Sequence, residues 1–257
     1  MLCCVVLCLP PPAFSVFCIV YMALTTRITR LLGVKHPIIL PGMSWISTPP
    51  LVAAVCNAGG LGILATGPLS PQETRESIEM IRKLAPGKKF GIGCTLLMPG
   101  AKENAEVALE MEVPVINISL GKGDWICKRA KEYGGKVIVT VVNEKHALSA
   151  REFGADALMV TGHEAAAHGG DVTTLCLVNS LSKKTDLPII AAGGIGDGRG
   201  LAAMLAIGIL HLSSTYYNHH LHASFSMFVL FGCHIMRGVL MLTYVVIFAH
   251  SSMCLYF

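Results

Sequence analysis

The sequence predicts the α/β class: a parallel (β/α)8 barrel of the TIM type, incomplete at its eighth strand. Three observations predict it. Seven short runs rich in Val, Ile and Leu recur through residues 36–194 without clean polar alternation, the pattern of strands buried on both faces. Helical stretches separate them, giving strand–helix units of roughly 25 residues, as a parallel sheet with crossover helices requires. No G-x-G-x-x-G follows the first run, so seven units in about 160 residues fit a barrel better than an open doubly wound sheet.

The strands are expected at "HPIIL" (36–40), "LGILAT" (61–66), "KFGIGCTL" (89–96), "VPVINISL" (113–120), "KVIVTVV" (136–142), "DALMVTG" (156–162) and "LPIIAAGG" (187–194). Between them, "SPQETRESIEMIRKLA" opens on Ser70-Pro71 and places Ile78, Ile81 and Leu84 on one helical face. "NEKHALSAREFGA" opens on Asn143 as N-cap and stops at Gly154. An eighth strand should begin near residue 209. Only "ILHLSST" is available there, so residues 209–214 are expected to form a poor one. A barrel left open would expose two unpaired edges.

Charge divides the chain into three segments. Nineteen of the 20 basic residues and all 16 acidic ones lie between Arg27 and Arg199, and Arg237 is the one charge outside. Residues 26–208 therefore read as a soluble domain between an apolar extension (1–25) and an atypical apolar tail (209–257). A mixed surface with a small positive excess does not suggest nucleic-acid binding. Cys56, Cys94, Cys127 and Cys176 are isolated, without C-x-x-C spacing, and read as reduced buried thiols. The first tail lacks a positive n-region and an A-x-A site, while Met22 opens an ordinary cytosolic start, so a cytoplasmic protein is expected. The second tail is apolar enough over 223–249 to span a bilayer apart from Arg237, but reads more simply as translated intron or frame-shifted sequence.

In such barrels chemistry sits at the C-terminal ends of the strands. Four stretches lie there. In "PGMS" (41–44), Gly42 lets backbone approach a flat ligand and Met43 offers a polarizable wall, although an ordinary turn fits equally. The glycines of "NAGGLGILATG" (57–67) point to close helix–strand packing ahead of ligand contact. In "IIAAGGIGDGRG" (189–200), Gly193-Gly194 opening into a helix form an anion nest suited to a phosphate. Finally, "VTGHEAAAHGG" (160–170) carries His163, Glu164 and His168 without metal-ligand spacing. Its histidines are either solvated loop residues or a proton-transfer group held over a cofactor.

Together, "TRITRLLGVKHPIILPGMSWIS", "AGGLGILATG", "FGADALMVTGHEAAAHGG" and "LPIIAAGGIGDGRGLAAMLAIG" resemble the nitronate monooxygenase (2-nitropropane dioxygenase) family. They are similar also to the FMN-dependent enoyl-ACP reductases of the same superfamily. The resemblance covers residues 26–208 and implies a barrel holding FMN, with Pro41, Gly42 and Met43 against the flavin. It implies Gly162, Glu164 and a catalytic His168 in the loop after the sixth strand, and Gly193 and Gly194 at the phosphate. The implied activity is oxidation of alkyl nitronates or nitroalkanes with O2. NAD(P)H-dependent reduction of an enoyl thioester or quinone is the alternative, and a non-functional mis-spliced product is a further one.

The chain departs from the family pattern at Ala166 and Ala167, where glycines are usual, and at Gly93, where a flavin-contacting asparagine is usual. It departs also after residue 208, where a strand ending in Gly-Thr-Arg would complete the phosphate site. Weak FMN binding is therefore expected.

Overall fold

A computed structural model describes residues 24–166 and 168–207, together with three two-residue strands at Cys4–Val5, Ile19–Val20 and Leu212–Ser213. The first two of these short strands pair with each other antiparallel, outside the main sheet. The remaining expectations for 1–21 and the spanning stretch 223–249 lie outside the described residues, as does Ala167. No helix among the described residues is long and apolar enough to cross a membrane.

Seven of the predicted strands are present in order. They are β1 (Ile38–Leu40), β2 (Leu61–Ala65), β3 (Gly91–Thr95), β4 (Val115–Ser119), β5 (Lys136–Val141), β6 (Ala157–Thr161) and β7 (Ile189–Ala192). All pair in parallel with their sequence neighbours. The eighth place is taken by β8, Leu212–Ser213, inside the stretch expected to form a poor strand. Its register matches Leu212 to Ala191 and Ile38, and Ser213 to Ala192 and Ile39, which closes the ring between β7 and β1.

Among the described residues eight helices accompany the strands: α1 (Arg27–Leu32), α2 (Pro49–Asn57), α3 (Pro71–Leu84), α4 (Ala101–Glu110), α5 (Asp124–Glu132), α6 (Glu144–Glu152), α7 (Thr174–Leu181) and α8 (Gly198–Ala206). Their ends follow local chemistry. Ser70 and Glu73 form a capping box at α3, with Pro71 as its first residue. Asn143 Oδ1 accepts from His146 N at 2.8 Å to start α6. On α3 the buried face is Thr74, Ile78 and Ile81. Leu84, expected to join it, is 44% exposed, and Ala85 just beyond the helix is buried instead.

Two apolar layers result. Outward-facing residues such as Leu64, Ile92, Ile116, Val139, Leu158 and Ala191 pack beneath the surrounding helices. Their neighbours Ile63, Val115, Ile138, Met159 and Ile190 fill the barrel interior. Ile28 and Leu32 of α1 join that inner cluster, so α1 closes the N-terminal end. Fully burying a side chain such as Ile28 is worth about 1.5–3 kcal/mol, enough to hold a six-residue helix that could not form alone.

The glycines around β2 serve packing, as expected. A Cβ on Gly62 would fall 2.5 Å from the Val52 carbonyl of α2, and one on Gly60 2.9 Å from the Ile38 carbonyl of β1. Three of the four isolated cysteines are buried. Cys176, near the start of α7, is exposed, because its helix begins at the rim of the barrel and shows that turn to solvent.

Candidate functional site

The barrel interior changes character along its axis. Its N-terminal half is sealed by Val115, Ile138 and Ala157 over α1. Toward the C-terminal mouth the inward positions become Gly93, Asn117, Thr140 and Thr161, with Thr95 and Ser119 at the strand ends. Asn117 Nδ2 donates to the Ile138 carbonyl (3.2 Å) and to Thr140 Oγ1 (3.1 Å). Ser119 Oγ donates to Thr95 Oγ1 at 3.1 Å. Two concavities of about 240 and 250 Å3 lie at the opposite end, beside Lys89 and Pro114, away from this polar layer.

On one arc of the mouth the loop after β1 carries Pro41, Gly42 and Met43. Ser47 shapes it: its buried hydroxyl donates to the Pro41 carbonyl (2.6 Å) and accepts from Met43 N (3.0 Å). Ala65 N donates to the Ser47 carbonyl, fastening the loop to β2. A Cβ on Gly93 would lie 3.6 Å from Gly42 Cα, so these two glycines are brought together over the Leu64 carbonyl. The result is a bare stretch of backbone beside Met43. Above it stands Trp45, 78% exposed with φ 66°, a left-handed conformation that a bulky residue adopts only under constraint. Leu97 and Met98 are exposed just beyond β3.

On a second arc the loop 162–173 folds against Gly193 and Gly194. The approach is close enough to require glycine. A Cβ on Gly162 would fall 2.2 Å from Thr174 N, one on Gly169 2.3 Å from the Gly162 carbonyl, and one on Gly193 2.7 Å from Ala165 N. Gly193 and Gly194 also have φ of 112° and 69°, in the region glycine alone adopts freely.

Glu164 Oε2 accepts from Thr174 N (2.8 Å) and Thr174 Oγ1 (2.9 Å), tying the loop to the start of α7. Desolvation alone would raise this carboxyl. The hydrogen bonds from Thr174, with His163 nearby, outweigh it and hold the group below the ordinary glutamate range. The buried Thr174 hydroxyl also lies 3.3 Å from the Ala192 carbonyl, a second and longer acceptor for its one hydrogen.

His168 lies in a bend of this loop with its ring exposed, one residue before the tight contact of Gly169 with Gly162. His163 is exposed as well, and its N–H donates to the Val172 carbonyl. The sequence stretch therefore forms an ordered non-helical loop. Ala166 is exposed within it. The helix after Gly193-Gly194 does not present a free N-terminus. Asp197 caps α8, its Oδ1 accepting from Arg199 N and Gly200 N at 2.9 Å each. Asp197 thus takes the Arg199 and Gly200 N–H groups away from any anion at this turn.

Sequence reasoning did not single out Asn117, Thr140, Thr161, Thr174 or Ser47. The first three are polar residues within runs that are otherwise apolar, and that was the available signal.

Comparison with known proteins agrees with this architecture. A family model described as nitronate monooxygenase matches residues 25–110 and 100–210. Among curated relatives, a (3aS,4S,5R,7aS)-5-hydroxy-7a-methyl-1-oxo-octahydro-1H-indene-4-carboxyl-CoA dehydrogenase of Rhodococcus jostii is 38% identical over 185 residues, covering 72% of this chain and 52% of the relative. A probable nitronate monooxygenase of Staphylococcus aureus is 29% identical over 228 residues, with 71% and 64% covered.

Among solved structures, FabK of Thermotoga maritima superposes with a TM-score of 0.71 at 41% identity, over 74% of this chain and 60% of that one. A nitroalkane oxidase of Streptomyces ansochromogenes superposes with a TM-score of 0.67 at 27% identity, over 73% and 66%. The chain spans about half the length of the first two curated relatives, 52% and 53%.

Proposed function

The chain belongs to the nitronate monooxygenase family, and from that premise we propose that it is a flavin-dependent oxidoreductase that binds FMN across the C-terminal mouth and oxidises alkyl nitronates with O2. The observation that carries this reading is the glycine-floored mouth. Gly42 and Gly93 leave a flat backbone surface beside Met43, and Gly193 and Gly194 lie on the facing arc. A planar ring fits the first group and a phosphate the second. When bound, FMN supplies the electron acceptor that the side chains at the mouth lack.

The protein's own groups then have separate tasks. Pro41, Gly42 and Met43 line one edge of the ring site, held by Ser47. The Glu164–Thr174 tie orders the loop that carries His168. The His168 imidazole takes the proton from the carbon next to a nitro group, or stands beside the nitronate anion when the substrate arrives ionised. The phosphate half of the site is the weaker one, since Asp197 already occupies the Arg199 and Gly200 N–H groups of α8.

One observation favours a second reading. Identity is greater to FabK and to the CoA dehydrogenases (38–41%) than to the nitronate monooxygenase and nitroalkane oxidase (27–29%). Exposed Trp45, Leu97 and Met98 around the mouth also suit a substrate with an apolar body. An NAD(P)H-dependent enoyl or quinone reductase would use the same floor.

Both readings are tested on the purified chain loaded with FMN under anaerobic conditions. Bleaching of the flavin spectrum by a nitronate, with slow bleaching by NAD(P)H, is the expected result. Fast bleaching by NAD(P)H alone would select the reductase. Failure to bind FMN at millimolar concentration would remove both.

A further inference from the structure

Among the described residues two asparagines are buried, Asn104 on α4 and Asn117 on β4, and their hydrogen bonding differs in one respect. Asn104 of α4 is saturated. Its Oδ1 accepts from Thr74 Oγ1 (3.0 Å), and its Nδ2 donates to the Thr66 and Leu69 carbonyls (3.0 and 2.8 Å). That amide pins the loop after β2 and has nothing left to offer a ligand.

Asn117 is 8% exposed and points into the barrel. Its orientation follows from β4 itself, where Ile116 and Ile118 pack under the helices while Val115 faces the interior. Both Nδ2 hydrogens are committed, to the Ile138 carbonyl and Thr140 Oγ1. Its Oδ1 accepts no hydrogen bond among the described residues, yet the one buried side-chain atom left unpartnered among them is His36 Nε2. The Asn117 oxygen therefore reaches solvent. Below it the barrel is closed by Val115 and Ile138, so the solvent it reaches is that of the mouth.

The neighbouring position makes this oxygen usable. Asn117 is registered against Gly93 on β3. Gly93 has no side chain to cover it, and beyond Gly93 lies Gly42. An aligned acceptor thus stands at one side of a floor made of two glycines, at the same level in the barrel. The fixed Nδ2 bonds prevent the amide from turning, so it presents an acceptor and not a donor.

We propose that Asn117 is a cofactor-binding residue that recognises the flavin ring, its Oδ1 accepting from a ring N–H. The assignment rests on the flavin reading above and extends it to a residue of β4. A flat heteroaromatic ring with an N–H on its polar edge matches this site. An apolar ring would leave the acceptor buried and unpaired, at a cost.

The test uses the full chain and direct binding of two probes, FMN and riboflavin, followed by quenching of flavin fluorescence. Riboflavin lacks the phosphate and reports the ring site alone. Asn117→Thr should weaken both probes by the same factor, roughly three- to tenfold, as loss of one neutral hydrogen bond implies.

The second variant moves the amide to β3. A Cβ at Gly93 would meet its nearest neighbours at 3.4–3.6 Å, ordinary contact distances, so a side chain is tolerated there. Gly93→Asn combined with Asn117→Thr should recover most of the lost affinity for both probes. Equal affinity of Asn117→Thr and the unsubstituted chain would overturn the proposal and leave the flavin reading standing. So would loss without recovery in the double variant, whatever its melting midpoint, because Asn117 would then act only by joining β4 to β5. No binding of either probe by the unsubstituted chain would overturn both.

Discussion

Gly162→Ala should destabilise the protein through one identifiable contact. The added Cβ would lie 2.2 Å from Thr174 N, 2.3 Å from Thr174 Oγ1 and 2.4 Å from Thr174 Cα. Two of these atoms are backbone at the first residue of α7, so no side-chain rotation relieves the overlap. Overpacking of this kind costs about 1–3 kcal/mol. Moving α7 away would also loosen the two bonds from Thr174 to Glu164, each worth about 0.5–1.5 kcal/mol. A total of about 2–6 kcal/mol would lower the melting midpoint by roughly 4–24 °C for a domain of this size. The assay is thermal unfolding followed by far-ultraviolet circular dichroism, with two controls. Gly93→Ala meets nothing closer than 3.4 Å and should stay within about 0.5 kcal/mol of the unsubstituted chain. Gly87→Ala, at φ 72° with open space around it, isolates left-handed backbone strain at about 1–2 kcal/mol. If Gly162→Ala melts within 1 °C of the unsubstituted chain (roughly the error of such scans), the close packing of the β6 loop on α7 is wrong.

Four other outcomes are expected. His168→Asn should cut turnover of neutral nitroalkane by about 10²–10⁴-fold and His163→Asn by much less; equal losses would refute the choice of His168. His36, whose Nε2 is buried without a partner, is held below its ordinary value of 6.5 by burial and by Lys35. Its neutral form is favoured by folding, so the stability it contributes is complete above about pH 6.5 and is lost as pH falls below it. His36→Gln should flatten that part of the melting-temperature profile, and an unchanged profile would exclude the group. Glu164 is held below 4.5, so its contribution is present above that pH and lost as pH falls through the folded-state value. Glu164→Gln should remove this acid-side loss while making the 162–173 loop more sensitive to proteolysis at neutral pH. Trp45→Asn should raise stability by about 1 kcal/mol by easing the left-handed backbone, while weakening binding of substrates with apolar bodies; a fall in melting midpoint would show that the indole packs in the fold.

The fold was legible because its pattern repeats. Each strand had the length and β-branched content of a doubly buried strand, and the two helices read in detail had their own start signals, Ser70-Pro71 and Asn143. Boundaries contracted in the structure: "KFGIGCTL" became Gly91–Thr95, since residues flanking a strand carry the same composition as the strand itself. Leu84 was misplaced for a related reason. Helical spacing puts it with Ile81, but the last turn of α3 extends past the layer that buries Ile78. Closure was the hardest element to read. Two residues of β8 suffice because their partners are fixed already, Ala191 and Ala192 on one side and Ile38 and Ile39 on the other.

The site was legible where backbone chemistry demanded glycine and illegible where it depended on which way a strand faces. Gly193 and Gly194 could be read as a turn because glycine alone adopts their φ values freely, whereas Gly162 entered only through the family resemblance and its close approach to Thr174 appears only in the structure. Asn117, Thr140 and Thr161 did not. In a strand buried on both faces the period of two has no label: Val115 and Ile116 are equally apolar, though one faces the barrel axis and the other the helices. Position along the strand supplies the missing label. Val115 and Ile138 precede Asn117 and Thr140 on the same face, and Ala157 and Met159 precede Thr161. Inward residues are thus apolar where α1 closes the barrel and polar toward the opposite end. A buried polar side chain, on a strand like Asn117 or on a helix like Asn104, must find a partner in the protein or in a ligand. Asn104 finds every partner in the protein, while Asn117 leaves its oxygen at the mouth. That difference is why the proposed ring site is placed at the C-terminal end of the barrel and its test is put on Asn117.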